Sequence, residues 1–196
     1  MSEFRRRATI AVNGVRRLPS EYQLLNYIPI TSNAKYFDTG FVPTTKTKVE
    51  ITLSKKATGG IFGCRNGWNN KSFYLYTGGS SSSKTFHLAW SSERTATVTI
   101  DENAKNIFGV DGGRFYINNT TIGTYSDSFS PVYSLFLLRI NSGGAVFNTV
   151  GGPVGAYLHG SQIWDDDVLV RDYVPVERLS DNVKGIYDLV NGTFLN

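Results

Sequence analysis

Few residues of this chain could do chemistry, and those few are badly spaced for it. Its two histidines, His87 and His159, lie far apart, and neither belongs to an H-x-x-x-H pair. The single cysteine, Cys64, can form neither an internal disulfide nor a thiolate metal cluster. A catalytic Cys64 would need a histidine brought near it by folding, and in the apolar run Ile61-Phe62-Gly63-Cys64 it reads as inert packing. There is no G-x-S-x-G elbow, and Gly63-Cys64-Arg65-Asn66-Gly67 lacks the Gly-Lys-Ser/Thr end of a phosphate loop. Sugar hydrolysis on a β scaffold needs two carboxyls at a fixed separation, often displayed as E-x-D-x-E, and that triplet is missing. Asp101 and Glu102 are adjacent, so their side chains would leave a strand on opposite sides. Asp165-Asp166-Asp167 offers hard oxygens that could chelate calcium, but an acidic hairpin tip is more commonly just solvated. These residues predict no catalysis, no cofactor and no metal.

Binding is better served. Carbohydrate recognition needs aromatic faces for the C–H surfaces of sugars and amides or acids for their hydroxyls. The segment Asn66-Gly67-Trp68-Asn69-Asn70-Lys71 supplies both on a predicted loop, which makes Asn66, Trp68 and Asn69 candidate ligand contacts. The competing reading folds Trp68 back as a lid on the sandwich edge. Tyr74 and Tyr76, two residues apart on a predicted strand, share one face and could line a groove or simply pack on the sheet. Trp90 and Trp164, each at the end of a predicted strand, read as core. Phe4 with Arg5, Arg6 and Arg7 could fasten the domain to an acidic partner, because guanidinium forks pair with carboxylates and phosphates; the bland alternative is a solubilising terminus.

The elements that must hold these residues are strands. From Glu21 onward, β-branched and aromatic runs are cut by Gly, Asn, Ser and Pro every eight to twelve residues, the spacing of a sandwich or barrel. The runs predicted as strands are 24–28, 48–53, 60–64, 73–77, 85–90, 95–100, 114–118, 132–140, 156–164 and 168–174. In Lys48-Val49-Glu50-Ile51-Thr52-Leu53, and again in Thr95 to Ile100, every second residue is apolar, so each should bury one face. Asp111-Gly112-Gly113 and Asn191-Gly192 are hairpin signals, and Asp165-Asp166-Asp167 sits where a turn is needed. The tract 78–83 and the Gly-rich stretch 141–155 read as loops. The expected architecture is a single all-β, two-sheet antiparallel jelly-roll domain over 21–196, behind a non-globular basic segment, 1–20.

Charge supports that division. Of 20 Lys plus Arg, five lie in the first 17 residues beside one acid, Glu3, which leaves 15 basic and 15 acidic residues in the rest. The net charge of +4 therefore resides in the leading segment. A folded nucleic-acid binder would be expected to carry a basic face on its body, so no nucleic-acid partner is expected. The apolar run from Ala8 to Val12 is too short for a secretory signal, and no stretch approaches the roughly 20 apolar residues of a spanning helix. No membrane partner is expected either, and one cysteine fits synthesis in a reducing cytoplasm.

Both ends of the chain resemble a known family. The segment from Tyr27-Ile28-Pro29 to Ala34-Lys35-Tyr36-Phe37-Asp38-Thr39-Gly40-Phe41 is similar to the "YIESTGTQYIDTGF" opening of laminin-G-like, concanavalin A-like domains of phages and prophages of gut bacteria. The segments Gly160 to Trp164, Leu169 to Val176 and Gly185 to Phe194 resemble that family's ending, although Asp165-Asp166-Asp167 replaces its D-N-G turn. The leader Met1 to Arg7 also looks like one that recurs ahead of such domains. The resemblance implies a jelly roll in a virion, as a head fibre, capsid decoration protein or tail appendage made in the host cytoplasm. A place in a virion makes other virion proteins the expected partners, and weak, repetitive adhesion to host glycans would call for a homo-oligomer or arrayed copies. Such a domain could bind host-surface glycans or be purely structural; a glycoside hydrolase is the least favoured reading. No site residue is carried over from the family.

Overall fold

The computed structural model describes residues 17–55, 58–66, 72–78, 83–147 and 150–196. Among them there is no helix, and seventeen strands, numbered in chain order, form two sheets. The larger sheet runs β10 (Thr120–Thr124), β9 (Arg114–Ile117), β8 (Asn106–Asp111), β4 (Thr47–Ser54), β14 (Tyr157–Asp165), β15 (Val168–Arg178), β16 (Val183–Asp188) and β17 (Thr193–Leu195). β1 (Tyr22–Leu24) lies beside the second half of β15, and β2 (Ile28–Pro29) beside the start of β14.

In the smaller sheet β7 (Ser83–Thr99) pairs with β6 (Ser72–Gly78), which pairs with β5 (Gly59–Arg65). Along the other side of β5 run β11 (Phe136–Leu137) and β12 (Asn141–Ser142), with β3 (Phe37–Asp38) outside β11 and β13 (Ala145–Val146) outside β12. Every pairing is antiparallel except the short one between β5 and β12. The chain passes from one sheet to the other six times, at β2 to β3, β3 to β4, β4 to β5, β7 to β8, β10 to β11 and β13 to β14. The fold is a two-sheet jelly-roll sandwich.

Period-two burial builds the interior. In β4, Val49, Ile51 and Leu53 are wholly buried while Lys48, Glu50 and Thr52 face outward. Phe62, Phe73, Leu75, Phe86 and Leu88 from the smaller sheet meet Phe108, Val110, Phe115, Leu158 and Ile163 from the larger one in one core. Each such side chain is worth about 1.5–3 kcal/mol when fully buried. Leu18, ahead of the first strand, already packs on a second cluster formed by Val174, Val176 and Tyr187.

Four two-residue turns carry positive φ at both positions: Gly112-Gly113, Asn118-Asn119, Gly143-Gly144 and Asp166-Asp167. That is the type I′ geometry matching strand twist, and the acidic tip keeps it because Asp tolerates the left-handed region.

Several expected boundaries move. The runs 85–90 and 95–100 belong to one strand, β7, so Trp90 lies inside a strand. The run 132–140 is no single strand: only Phe136–Leu137 pair, and Leu138 takes a φ of +69°, which breaks the ladder. The run 24–28 divides between β1 and β2. β3, β8, β10, β16 and β17 were not expected, and the short hairpin of β12 and β13 lies inside the stretch 141–155 that was expected to be all loop, because Gly143-Gly144 makes a tight turn there. Gly109 hides β8 in the sequence, and it is there because a Cβ would meet the Tyr116 ring at 2.4 Å.

Candidate binding site on the smaller sheet

The outward face of the smaller sheet gathers two of the expected ligand contacts with two residues that were not expected. Tyr74 and Tyr76 alternate on β6 and point away from the core; Tyr74 pairs with Gly63 on one side and Ala89 on the other, and Tyr76 with His87. Gly63 must be glycine, because a Cβ there would sit 2.2 Å from the Tyr74 Cβ. Small neighbours thus let the Tyr74 ring lie down on the sheet, where Ile140, Val150 and Phe147 cover it and leave it buried. Tyr76 stays half-buried, its ring stacked on the His87 imidazole at 4.2 Å and 8°.

Glu93 closes the cluster. The Tyr74 hydroxyl donates to its Oε2 at 2.5 Å, the Tyr76 hydroxyl to the same oxygen at 3.4 Å, and His87 Nδ1 donates to Oε1 at 3.0 Å. Six residues of straight strand span about 20 Å, too far for His87 and Glu93 to touch. The strand bends between them at Ser91, a buried residue with a φ of +74°. That bend, an uncommon one for a residue other than glycine, brings the carboxylate back over Tyr74 and Tyr76.

The electrostatics follow. Burial works to raise the Glu93 carboxyl, but hydrogen bonds from Tyr74 and His87 outweigh it and hold the group below its ordinary range. Burial, then the hydrogen bond to Glu93, raises the Tyr74 phenol; burial and the Glu93 charge push Tyr76 up to about 12. At neutral pH the cluster is one carboxylate gripped by two intact phenols and an imidazole. Arg65, buried with its guanidinium 4.4 Å over the Phe147 ring, adds positive potential that partly offsets the rise in both tyrosines. Such a site can stack an apolar ring face against the Tyr76–His87 pair and accept a hydrogen bond from a hydroxyl at Glu93.

The other singled-out residues fall elsewhere. Asn66 follows β5, half-buried, beside Arg65. Trp68 and Asn69 lie outside the described residues, as do Phe4, Arg5, Arg6 and Arg7. Trp90 is core, packed edge-on against Phe129. Trp164 corrects its core assignment: it is half-buried on the outward face of the larger sheet with the Lys48 ammonium 4.5 Å over its ring. Cys64 is buried in the core, and burial pushes its thiol far up, away from reactivity. His159 is structural, donating Nδ1–H to the Asn26 carbonyl at 2.9 Å and accepting from Ser54 Oγ at 2.8 Å, with burial lowering its pKa.

In the acidic turn, Asp165 accepts from Thr44 Oγ1 at 2.6 Å and Asp166 pairs with Lys46 at 2.8 Å. Among the described residues no group of three or more His, Cys, Asp or Glu could hold a metal ion. Sequence reasoning missed His87 and Glu93. Their signal was the pairing of β6 with β7, which puts His87 beside Tyr76, but nothing local marks the bend at Ser91.

No known protein-family profile matches the chain, and no curated protein matches it by sequence. Among solved structures, the chain is similar to the CBM40 of the Ruminococcus gnavus IT-sialidase bound to alpha2,3 sialyllactose, at 15% identity and a TM-score of 0.48. A second structure of the same CBM40 matches at 14% identity and a TM-score of 0.48. Each match covers 75% of this chain and 93% of that one. No residue, ligand or activity is carried across from them.

Proposed function

We propose that this chain is a glycan-binding jelly-roll domain that recognises sugar without turning it over, and that it works as an arrayed component of a phage particle. The observation that carries the first half is the open Tyr76–His87 stack beside the Glu93 carboxylate. An aromatic face next to a fixed acceptor is the pairing that sugar rings require. Absence of turnover is supported by the number of acids: Glu93 alone, among the described residues, contacts the cluster, and glycoside hydrolysis needs a pair. A single shallow site of this kind binds weakly, so useful adhesion requires many copies.

The second half rests on the resemblance at both ends of the chain to laminin-G-like phage domains. It rests also on the basic leader, whose Phe4, Arg5, Arg6 and Arg7 suit attachment to an acidic surface of another virion protein. In this reading the protein is made in the host cytoplasm and resides in the virion.

A tetramerised preparation on an array of bacterial and animal glycans tests the sugar reading. Selective signals are expected, and a uniformly blank array would favour a decoration or joining protein that contacts only its neighbours. Immunogold labelling of intact particles tests the second half. Removal of residues 1–16, which leaves Leu18 on its cluster, should abolish incorporation, and unchanged incorporation would dispose of the anchor.

A further inference from the structure

The two sheets leave a seam where their outermost strands come together, β3 on the smaller sheet and β17 on the larger. A cleft of about 450 Å³ opens there, lined by Lys35, Tyr36, Phe37 and Asp38 from the β3 side and by Phe194 and Leu195 from β17. Its volume falls within the range of small-molecule sites. It is remote in the topology from the Tyr76 cluster, with β5 and β11 lying between β6 and β3.

We infer that this seam cleft is a second binding site, for the ring of a neutral pyranose, which would make the domain bivalent. Tyr36 is 40% exposed, and its inner face lies on the buried Phe136 ring at 4.5 Å and 22°. It is therefore a backed, outward-facing platform rather than a loose surface tyrosine. Lys35 supplies the donor: its ammonium sits 4.8 Å over the Phe37 ring, and burial lowers its pKa. Asp38 supplies the acceptor. One of its oxygens takes the Gly40 N–H at 2.9 Å, which fixes the carboxylate beside the platform and leaves it on the exposed surface. An aromatic residue, a cation and an anion that line one cleft suit a polyhydroxylated neutral ring. An acidic sugar would meet Asp38.

The test is amide chemical-shift mapping of the full chain titrated with glucose, galactose and N-acetylgalactosamine, with glucuronate as the acidic comparison. The result expected is a saturable shift of amides in 34–38 and 194–195 with at least one neutral sugar, lost in Tyr36→Ala and weakened about tenfold in Lys35→Met, which keeps the aliphatic stem over Phe37. Shifts near Tyr76 and Glu93 should be unaffected by either variant, so failure of one site is read separately from failure of the other. No shift at 34–38 with any neutral sugar, a shift there that survives Tyr36→Ala in the folded variant, or a shift with glucuronate alone would overturn the inference.

Discussion

The two outward faces of the sandwich carry similar ingredients and arrange them to opposite effect. On the larger sheet Glu50 accepts from the Tyr116 hydroxyl at 2.7 Å and pairs with Lys48 at 3.2 Å, and Lys48 in turn covers the Trp164 ring. Nearby, the Arg114 guanidinium lies over the Tyr116 ring and pairs with Asp111 at 3.5 Å. Both of these rings, Trp164 and Tyr116, are capped by a cation. On the smaller sheet Glu93 is met by phenols and an imidazole, and the Tyr76–His87 stack carries no such cap among the described residues. Aromatic rings beside a carboxylate do not make a site on a sheet face. What covers the rings decides.

The glycines beneath the two tyrosines give the largest test of that contrast. Gly63→Ala would drive a Cβ into the Cβ and Cα of Tyr74, atoms that cannot swing aside, whereas Gly109→Ala meets only the far end of the Tyr116 ring. Gly63→Ala is expected to cost at least about 3 kcal/mol by chemical denaturation, or to prevent folding, and Gly109→Ala about 1 kcal/mol. Equal costs would mean that the two rings are seated alike.

Ligand binding should divide the faces next. Glu93→Gln is expected to weaken glycan binding about tenfold, the scale of one charge-assisted hydrogen bond, while Glu50→Gln leaves it unchanged. The pH profile sharpens the point. Because the folded-state pKa of Glu93 is depressed, its contribution is present above the ordinary glutamate value and lost as pH falls through the lower, folded value. Affinity measured by calorimetry should therefore hold from pH 7 to roughly pH 5 and fall only below about pH 4. Stability should begin to fall earlier, below about pH 6.5, because His159 is buried in its neutral form and protonation in the unfolded chain competes with folding.

The smallest effect belongs to the acidic hairpin at one end of the larger sheet. Replacing Asp166-Asp167 by Asn-Gly suits the left-handed φ values of +50° and +63° better and should stabilise the fold by about 0.5–1 kcal/mol, with no change in binding.

These contrasts also explain what could be read from the text of the chain. The larger sheet's central strand, β4, is legible because Val49, Ile51 and Leu53 alternate cleanly with Lys48, Glu50 and Thr52. The turns at Gly112-Gly113 and at Asp166-Asp167 are legible because they are local. β8 was not, since Gly109 serves a ring on a neighbouring strand and carries no local strand signal. Tyr74 and Tyr76 were legible as a face, but the residues that convert the face into a site were not. Tyr76 meets His87 through strand pairing, and Glu93 reaches both through one backbone bend at Ser91. Neither relation is visible until β6 and β7 are laid side by side.

Three tetramerised proteins on the same glycan array test the central claim most directly: the unaltered chain, Tyr76→Ala, and Lys48→Met, which uncaps Trp164 on the opposite face. A site on the smaller sheet gives glycan signals that Lys48→Met retains and Tyr76→Ala loses. Signals retained by Tyr76→Ala but lost in Lys48→Met would contradict it and move the site to the larger sheet.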